Sequence, residues 1–571
     1  MVEENRNILV NQIGYLPYAD KIVTVITPAQ QPLQWELRNV ATKTIELSGW
    51  SKVYGIDKAS GDPLHHVDCS NCHAVGVYQL TVQSVGESEP FVIASDLYPK
   101  LPQEALAYFY FHRMGVPIEA EFLANAGHAH AALHPGDDAI PFYRGWNQGT
   151  LDVRYSWADA GDFGIYPVNQ AITAWTLLNC FERNPLAFPD GSLFIPERTN
   201  GIPDLLDEVR FGSTFMLGIL PPTGLASHKV HNEQWSAVPV VDLAAENALP
   251  RTAQPPSTNA TYAVARNTAH LARVFQAYDP EYAQAAWQVA QTAWQRAESE
   301  PLVYYTVDTV DDVGGGDYDD LRHEDDRYAA AVELYLTACQ LNDSGRNRYR
   351  TVVWESTDYQ KVTRFTWSEV GTLGTLSLLS VANDLPAADL ERMRLNLLQY
   401  ADGLLQSIAN EGYPTTLPGD QPYPWGSNSF LVNDLILLAY AYDVSGKLQY
   451  LKAIHRGMDY LLGNNAMKLS YITGYGHRAE TDTHDRWAWG CYQKGIPYPK
   501  GWLVGGPNNS LINEPSTPRD RPAAKSYAAK NTSFDSWCSK ENAINWNAAL
   551  VWVAQYINAH RAELCNPRDQ L

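Results

Sequence analysis

Apolar residues alternate in short runs along the first part of the chain. The stretches "KIVTVIT", "LQWELRNV", "VYQLTVQ" and "EPFVIAS" are alternating or β-branched and of strand length, with turn clusters such as "PAQQP" and "ASGDP" between them. Runs of this length and spacing predict a β-sandwich over residues 1–95. After Ser95 the period changes. From "LPQEALAYFYFHRMG" onward, apolar positions recur at helical spacing, through "AITAWTLLNCFE", "DEVRFGSTFMLGIL", "TYAVARNTAHLARVFQAY", "YAAAVELYLTACQL", "NDLILLAYAYDVSG" and "NAALVWVAQYINAH". Roughly a dozen helices follow from that pattern, so residues 96–571 read as one large all-α domain. The connections are long and rich in Gly, Pro and aromatics, and binding and catalytic residues concentrate on such loops. The chain has no internal repeat and no low-complexity tract.

Composition narrows the class. A chain of 571 residues exceeds one ordinary core, which agrees with two structural units. Hydrophobic residues make up 45% and charged residues 19%, a globular balance. There is no apolar run of about 18 residues, so no membrane span is expected. The opening "MVEENRNILVNQIGY" lacks a basic start and an apolar core, so the expectation is a cytoplasmic protein. Seven scattered cysteines fit reduced thiols better than a disulfide framework. A net charge of −22 argues against nucleic acid as a partner, whose phosphates need a basic surface. The 17 Trp and 33 Tyr suit sugar faces, although core burial accounts for most aromatics in a large protein. Oligomeric state is not legible.

The candidate chemistry starts at "YSWADAGDFGIYPVN", Tyr155 to Asn169, where Asp159 and Asp162 stand three residues apart. Taken alone, the stretch reads as a helix start whose Asp side chains cap free N–H groups. Two carboxylates gripping one water is the other reading. The company of the motif reverses the odds. "ILVNQIGYLPYADKIVTV", "SWADAGDFGIYPVN", "NGIPDLLDEVRFG", "YPWGSNSFLVN", "YLLGNNAMKLSYITGYGHR", "WLVGGPN" and "ENAINWNAALVW" occur in one order along nearly the whole chain. In that order they resemble glycoside hydrolase family 9, in the subgroup with an N-terminal immunoglobulin-like domain.

The resemblance implies an (α/α)6 barrel with a cleft at one end, inverting hydrolysis of β-1,4-linked glycosides, an oligosaccharide substrate and no required cofactor. Inversion needs an acid and a base about 6.5–9.5 Å apart with a water between them, and the acid's pKa must be raised. The family motif makes Asp162 the base and Asp159 its partner on the water, with Gly161 freeing the turn between them. Glu541 in "WCSKENAINWNAALVW" becomes the acid, where a Glu before a helix would otherwise be a dipole partner. Thr532 stands where the family has an Asp, and Asp535 is the nearby substitute.

His484 and Arg486 match the family's sugar-binding signature, and His228 matches a segment near the cleft. Asp482 and Asp485 beside them, with the more distant Asp138, suggest a negative pocket suited to a cationic sugar. Trp425 and Trp502 are candidate stacking platforms or core residues. Asp325 and Asp326 with Glu369 resemble the family's calcium loop, or form a solvated acidic segment. Met114 and Gly127 replace cysteines of the family's zinc site, so zinc is not expected, and Cys69, Cys72 and His73 lack a second ligand pair. With a cytoplasmic setting, the expected activity is exo-action on short oligosaccharides, as an exo-β-D-glucosaminidase or a cellodextrin glucosidase. An endo-β-1,4-glucanase is the alternative. Three catalytic carboxylates argue against a sugar-binding protein without activity.

Overall fold

The computed structural model describes residues 7–306, 314–510, 514, 516–517, 520–532 and 536–566; Asp535 lies outside them. Two antiparallel sheets form the N-terminal unit. One runs Ile8–Leu9, Ile22–Ile26, Pro63–Asp68, Lys52–Ile56; the other runs Ile45–Trp50, Gln34–Asn39, Gly76–Val82, Gly86–Glu87, with Phe91–Ile93 also paired to Gly76–Val82. The alternation read from the sequence sets the faces. Tyr78, Leu80 and Val82 turn inward to meet Val23, Val25, Leu37 and Val67, and Leu37 sits opposite Leu80 in the register. The last strand ends at Ile93 and the first helix begins at Leu101.

The helices form two concentric rings. Six inner helices, Pro167–Arg183, Thr258–Phe275, Glu324–Gln340, Gly371–Ser380, Ser427–Ser445 and Ile544–Ala559, follow one another around the ring. Gly371–Ser380 meets Ser427–Ser445 through the hydroxyls of Ser380 and Tyr440, 2.8 Å apart. Six outer helices, Leu101–Phe111, Asp204–Ser213, Pro280–Ser299, Arg346–Glu355, Ala387–Asn410 and Leu448–Leu461, pack against them. This is an (α/α)6 barrel. An inner helix has no solvent face, so Thr258–Phe275 is buried at every position. The outer Ala387–Asn410 buries only the stripe Met393, Leu397, Ala401, Leu404 and Ile408, the amphipathic pattern of a helix lying on a core. Inside the ring, Asn179 ties three elements: it donates to the Tyr440 hydroxyl at 2.7 Å and accepts from the Trp552 indole at 3.0 Å.

The sandwich seats on the barrel's flank. Arg456 and Asn464 donate to the carbonyl of Ile22, Asn11 donates to Asp459, and Asp62 accepts from Tyr413 and Lys525. Among the described residues no helix is long and apolar enough to cross a membrane.

Candidate active site

The segments preceding three inner helices converge at one end of the barrel. The Asp159–Asp162 turn precedes Pro167–Arg183, whose proline stands at the start, where its missing N–H costs nothing. The turn is pinned from outside. Ala158 N–H donates to the His112 carbonyl at 2.8 Å, and Ile544 N–H, at the start of the helix after Glu541, donates to the Asp159 carbonyl at 2.9 Å. Asp162 Oδ2 accepts from the Tyr166 hydroxyl at 2.7 Å and from Gly164 N–H at 3.0 Å. Asp159 accepts from Asn169 Nδ2 at 2.8 Å and from the Tyr318 hydroxyl at 2.6 Å. Neither carboxylate caps the helix, so the cap reading of this stretch fails. Their donors come from side chains and from the turn itself.

Glu541 reaches the same turn from the other side. Its Oε1 accepts from Gly161 N–H at 3.1 Å. The backbones of His484 and Glu541 run side by side in a parallel bridge, and His484 N–H donates to the Lys540 carbonyl at 2.8 Å. Gly161 is demanded by closeness rather than by a left-handed φ. A Cβ there would lie 2.5 Å from the His484 carbonyl oxygen and 3.0 Å from both Glu541 Oε1 and His484 Cδ2.

Burial dominates the electrostatics. It pushes the Glu541 carboxyl well above the usual range, and the charge of Asp162 adds to it. Burial and then the Asp162 charge raise Asp159 to about 8, against the donors Tyr318 and Asn169. The Asp159 carboxyl thus holds its proton more tightly than a free one, because it is buried beside a second carboxyl. With Oε1 of Glu541 taken by the Gly161 N–H, the acid proton falls to Oε2.

His484 and Arg486 join this cluster. Arg486 donates to the Gly161 carbonyl, holding the turn from a third side, and its guanidinium lies 5.8 Å from the ring of Trp235, which is 51% exposed. Trp425 is 39% exposed, stands edge to face with Trp537, and precedes Gly426, which lies against Trp546.

Other expectations need correction. Trp502 is 1% exposed and packed edge-on against Tyr108, Phe111 and Tyr498, so no ring face is left for a sugar. His228 is buried, stacks on Tyr305, and hydrogen-bonds Ser257 and the Asp317 carbonyl. It braces the segment carrying Tyr318 instead of facing a substrate. Asp325, Asp326 and Glu369 do not converge on a calcium site. Asp325 accepts from Val370 N–H, Asp326 from Asn259, and Glu369 is paired with Arg322, whose guanidinium also holds Asp358. Among the described residues no three His, Cys, Asp or Glu side chains are placed to hold a metal. Asp482 is paired with Lys540 at 2.7 Å and Asp485 with His112 at 2.9 Å; Asp138 is exposed.

Sequence reasoning passed over Tyr166, Asn169, Tyr318 and Trp235. Tyr166 and Asn169 sit in the quoted motif, four and seven residues beyond Asp162, at the helix N-cap and in its first turn. Tyr318 lay hidden in "GGGDYDD", read as part of an acidic loop.

Comparison with known proteins agrees with this geometry. Residues 98–554 match Glycosyl hydrolase family 9, and residues 3–87 match the cellulase N-terminal ig-like domain. The chain is 36% identical to a cellulose 1,4-beta-cellobiosidase of Acetivibrio thermocellus, across 97% of this chain and 67% of that protein. It is also 36% identical to Endoglucanase C of Cellulomonas fimi, across 96% and 51%, so it spans about half the length of that relative. A cellodextrinase of Butyrivibrio fibrisolvens is 27% identical over 96% of this chain and 99% of its own. Among solved structures, Bacteroides ovatus GH9 superposes with a TM-score of 0.85 at 27% identity, covering 98% of this chain and all of that one. The chain belongs to glycosyl hydrolase family 9, as a barrel hydrolase preceded by an immunoglobulin-like domain.

Proposed function

We propose that the protein hydrolyses β-1,4-linked glucans with inversion at the anomeric carbon. The observation that carries this reading is the Gly161 N–H bond to Glu541, which sets a buried, protonated acid against a turn that holds two carboxylates. In this reaction Asp162 takes a proton from a water held jointly with Asp159, and the water oxygen attacks the anomeric carbon. Glu541 Oε2 gives its proton to the departing glycosidic oxygen as the C–O bond breaks. Tyr166 and Tyr318 keep the two carboxylates oriented during the transfer. Trp235 and Trp425 supply exposed rings for the sugar faces, and His484 and Arg486 flank the reacting unit.

The names of these relatives favour cellulose-derived substrates. End-directed action on short oligosaccharides draws support from the cellobiosidase and the cellodextrinase; Endoglucanase C, at the same 36% identity as the cellobiosidase, favours mid-chain cleavage. A preference for glucosamine loses its basis, because Asp482 is bound to Lys540 and the Asn531 N–H, and Asp485 to His112 and the Ala488 N–H, so neither carboxylate is left open for a sugar amine. The test is hydrolysis of cello-oligosaccharides, glucosamine oligomers and soluble cellulose derivatives side by side. Cello-oligosaccharides should be cut fastest, with single-size products and a slow fall in polymer viscosity if action is from the end. Cleavage of glucosamine oligomers alone would overturn the glucan reading.

A further inference from the structure

A buried polar cluster beside the acid is left unused by the mechanism above. Lys540, immediately before the acid, bridges Glu480 and Asp482, each at 2.7 Å, and Glu480 also accepts from the Tyr527 hydroxyl. Asp482 Oδ2 accepts the backbone N–H of Asn531 at 2.9 Å. Asn531 is itself buried, and its side chain has three partners: Nδ2 with the Thr483 carbonyl at 3.0 Å, Oδ1 with the Ser536 hydroxyl at 2.5 Å, and Oδ1 with His484 Nδ1 at 3.0 Å.

This arrangement fixes a proton. A backbone carbonyl only accepts, so the Asn531 edge facing Thr483 must be the NH2 group. The opposite edge, facing His484, is then the amide oxygen, which also only accepts. His484 Nδ1 must therefore carry hydrogen. Burial, with Arg486 nearby, pushes the imidazole down to about 4, so the ring is neutral and Nε2 holds a lone pair. Nε2 has no hydrogen-bond partner among the described residues, while the adjacent Cδ2 lies 3.0 Å from where a Gly161 Cβ would stand, at the turn between Asp159 and Asp162.

We infer that Asn531, anchored through Asp482 to Lys540, is a positioning residue that locks His484 in its Nδ1–H form, so that Nε2 accepts a hydrogen bond from a hydroxyl of the bound sugar. The sugar contact rests on the proposed glycan-hydrolase reading; the locked tautomer does not. The cluster thus links the two segments on either side of the reacting unit. Lys540 sets the backbone next to the acid and, through Asp482 and Asn531, the direction of the acceptor opposite it. Next along the chain, the Thr532 N–H donates to Ser536 Oγ at 3.0 Å, which holds that hydroxyl beside the Asn531 amide.

The test is long-range 15N–1H NMR of the histidine rings in the full chain without substrate, with His484 assigned by its loss in His484→Gln. The expected result is an Nδ1–H tautomer for wild type, persistence of that form in Asn531→Asp, which keeps an acceptor at Nδ1, and a mixture of tautomers in Asn531→Ala. Activity on cello-oligosaccharides should fall about tenfold in kcat/KM in Asn531→Ala, the worth of one hydrogen bond, and recover in part in Asn531→Asp. An Nε2–H form in wild type, or an unchanged tautomer in Asn531→Ala, overturns the inference whatever the activity. An Nδ1–H form in a protein that cleaves no β-1,4-glucan supports the locked ring and counts against the glucan reading alone.

Discussion

Replacing Gly161 by Ala tests the geometry most sharply, because the new methyl group has nowhere to go. It would start 2.5 Å from the His484 carbonyl oxygen and 3.0 Å from Glu541 Oε1. The first of these is backbone, fixed by the His484 N–H to Lys540 carbonyl bond and the parallel bridge to Glu541. Relieving it to an ordinary carbon–oxygen contact of about 3.4 Å means a movement of roughly 0.9 Å. Both sides of the contact carry groups of the proposed mechanism, so the movement separates the proposed acid, Glu541, from Asp162 and its water. Misplacement by about 1 Å costs on the order of 10²-fold in rate, and overpacking of this kind costs about 1–3 kcal/mol of stability. The assay is kcat/KM on a cello-oligosaccharide, paired with urea unfolding to show that the variant is folded. The expected outcome is a folded protein with activity down about 100-fold. A folded Gly161→Ala with more than a third of wild-type activity would refute the claim that this turn and the acid share one rigid contact.

Asp162→Asn should lower turnover by several orders of magnitude with substrate affinity nearly intact, since only water activation is lost; steady-state kinetics with a binding isotherm checks both halves. Glu541→Gln should raise Tm more at pH 7 than at pH 4. Burial raises the folded-state pKa of Glu541, so wild type loses stability as pH climbs above the unfolded carboxyl value of about 4.3, whereas Gln has no such loss. Equal Tm differences at the two pH values would contradict a raised acid. Trp425→Ala should raise KM with little change in Tm, while Trp502→Ala should cost about 3–5 kcal/mol of stability; denaturant melts and kinetics on both variants separate platform from core.

The two-domain order was legible because period-2 and period-3.6 patterns follow one another along the chain, and "VYQLTVQ" turns inward at Tyr78, Leu80 and Val82 as alternation requires. The inner helices were legible as helices but not as inner. Thr258–Phe275 is buried all round, a property set by its neighbours rather than by its own stripe. The three carboxylates emerged from motif order, and the structure joins them. What local sequence could not supply was burial and long-range pairing. Trp425 and Trp502 look alike on the page, yet one keeps an exposed face and the other fills the core under Tyr108 and Phe111. The acidic stretch around Asp325 suggested a cation site, but Arg322 takes Asp358 and Glu369, a pairing across 36 and 47 residues. Asp482 and Asp485 suggested a negative pocket because their partners Lys540 and His112 lie far away in sequence. Gly161 was read for turning freedom, and only the approach of the His484 carbonyl shows that the constraint is space.

The central claim is a single displacement by a water that Asp162 activates while Glu541 protonates the leaving group. Proton NMR of a cello-oligosaccharide during the first minutes of hydrolysis tests it most directly, before mutarotation mixes the products. The account predicts that the new reducing end of a β-linked substrate appears first as the α-anomer. First appearance of the β-anomer would contradict it, because retention requires two displacements through a covalent intermediate.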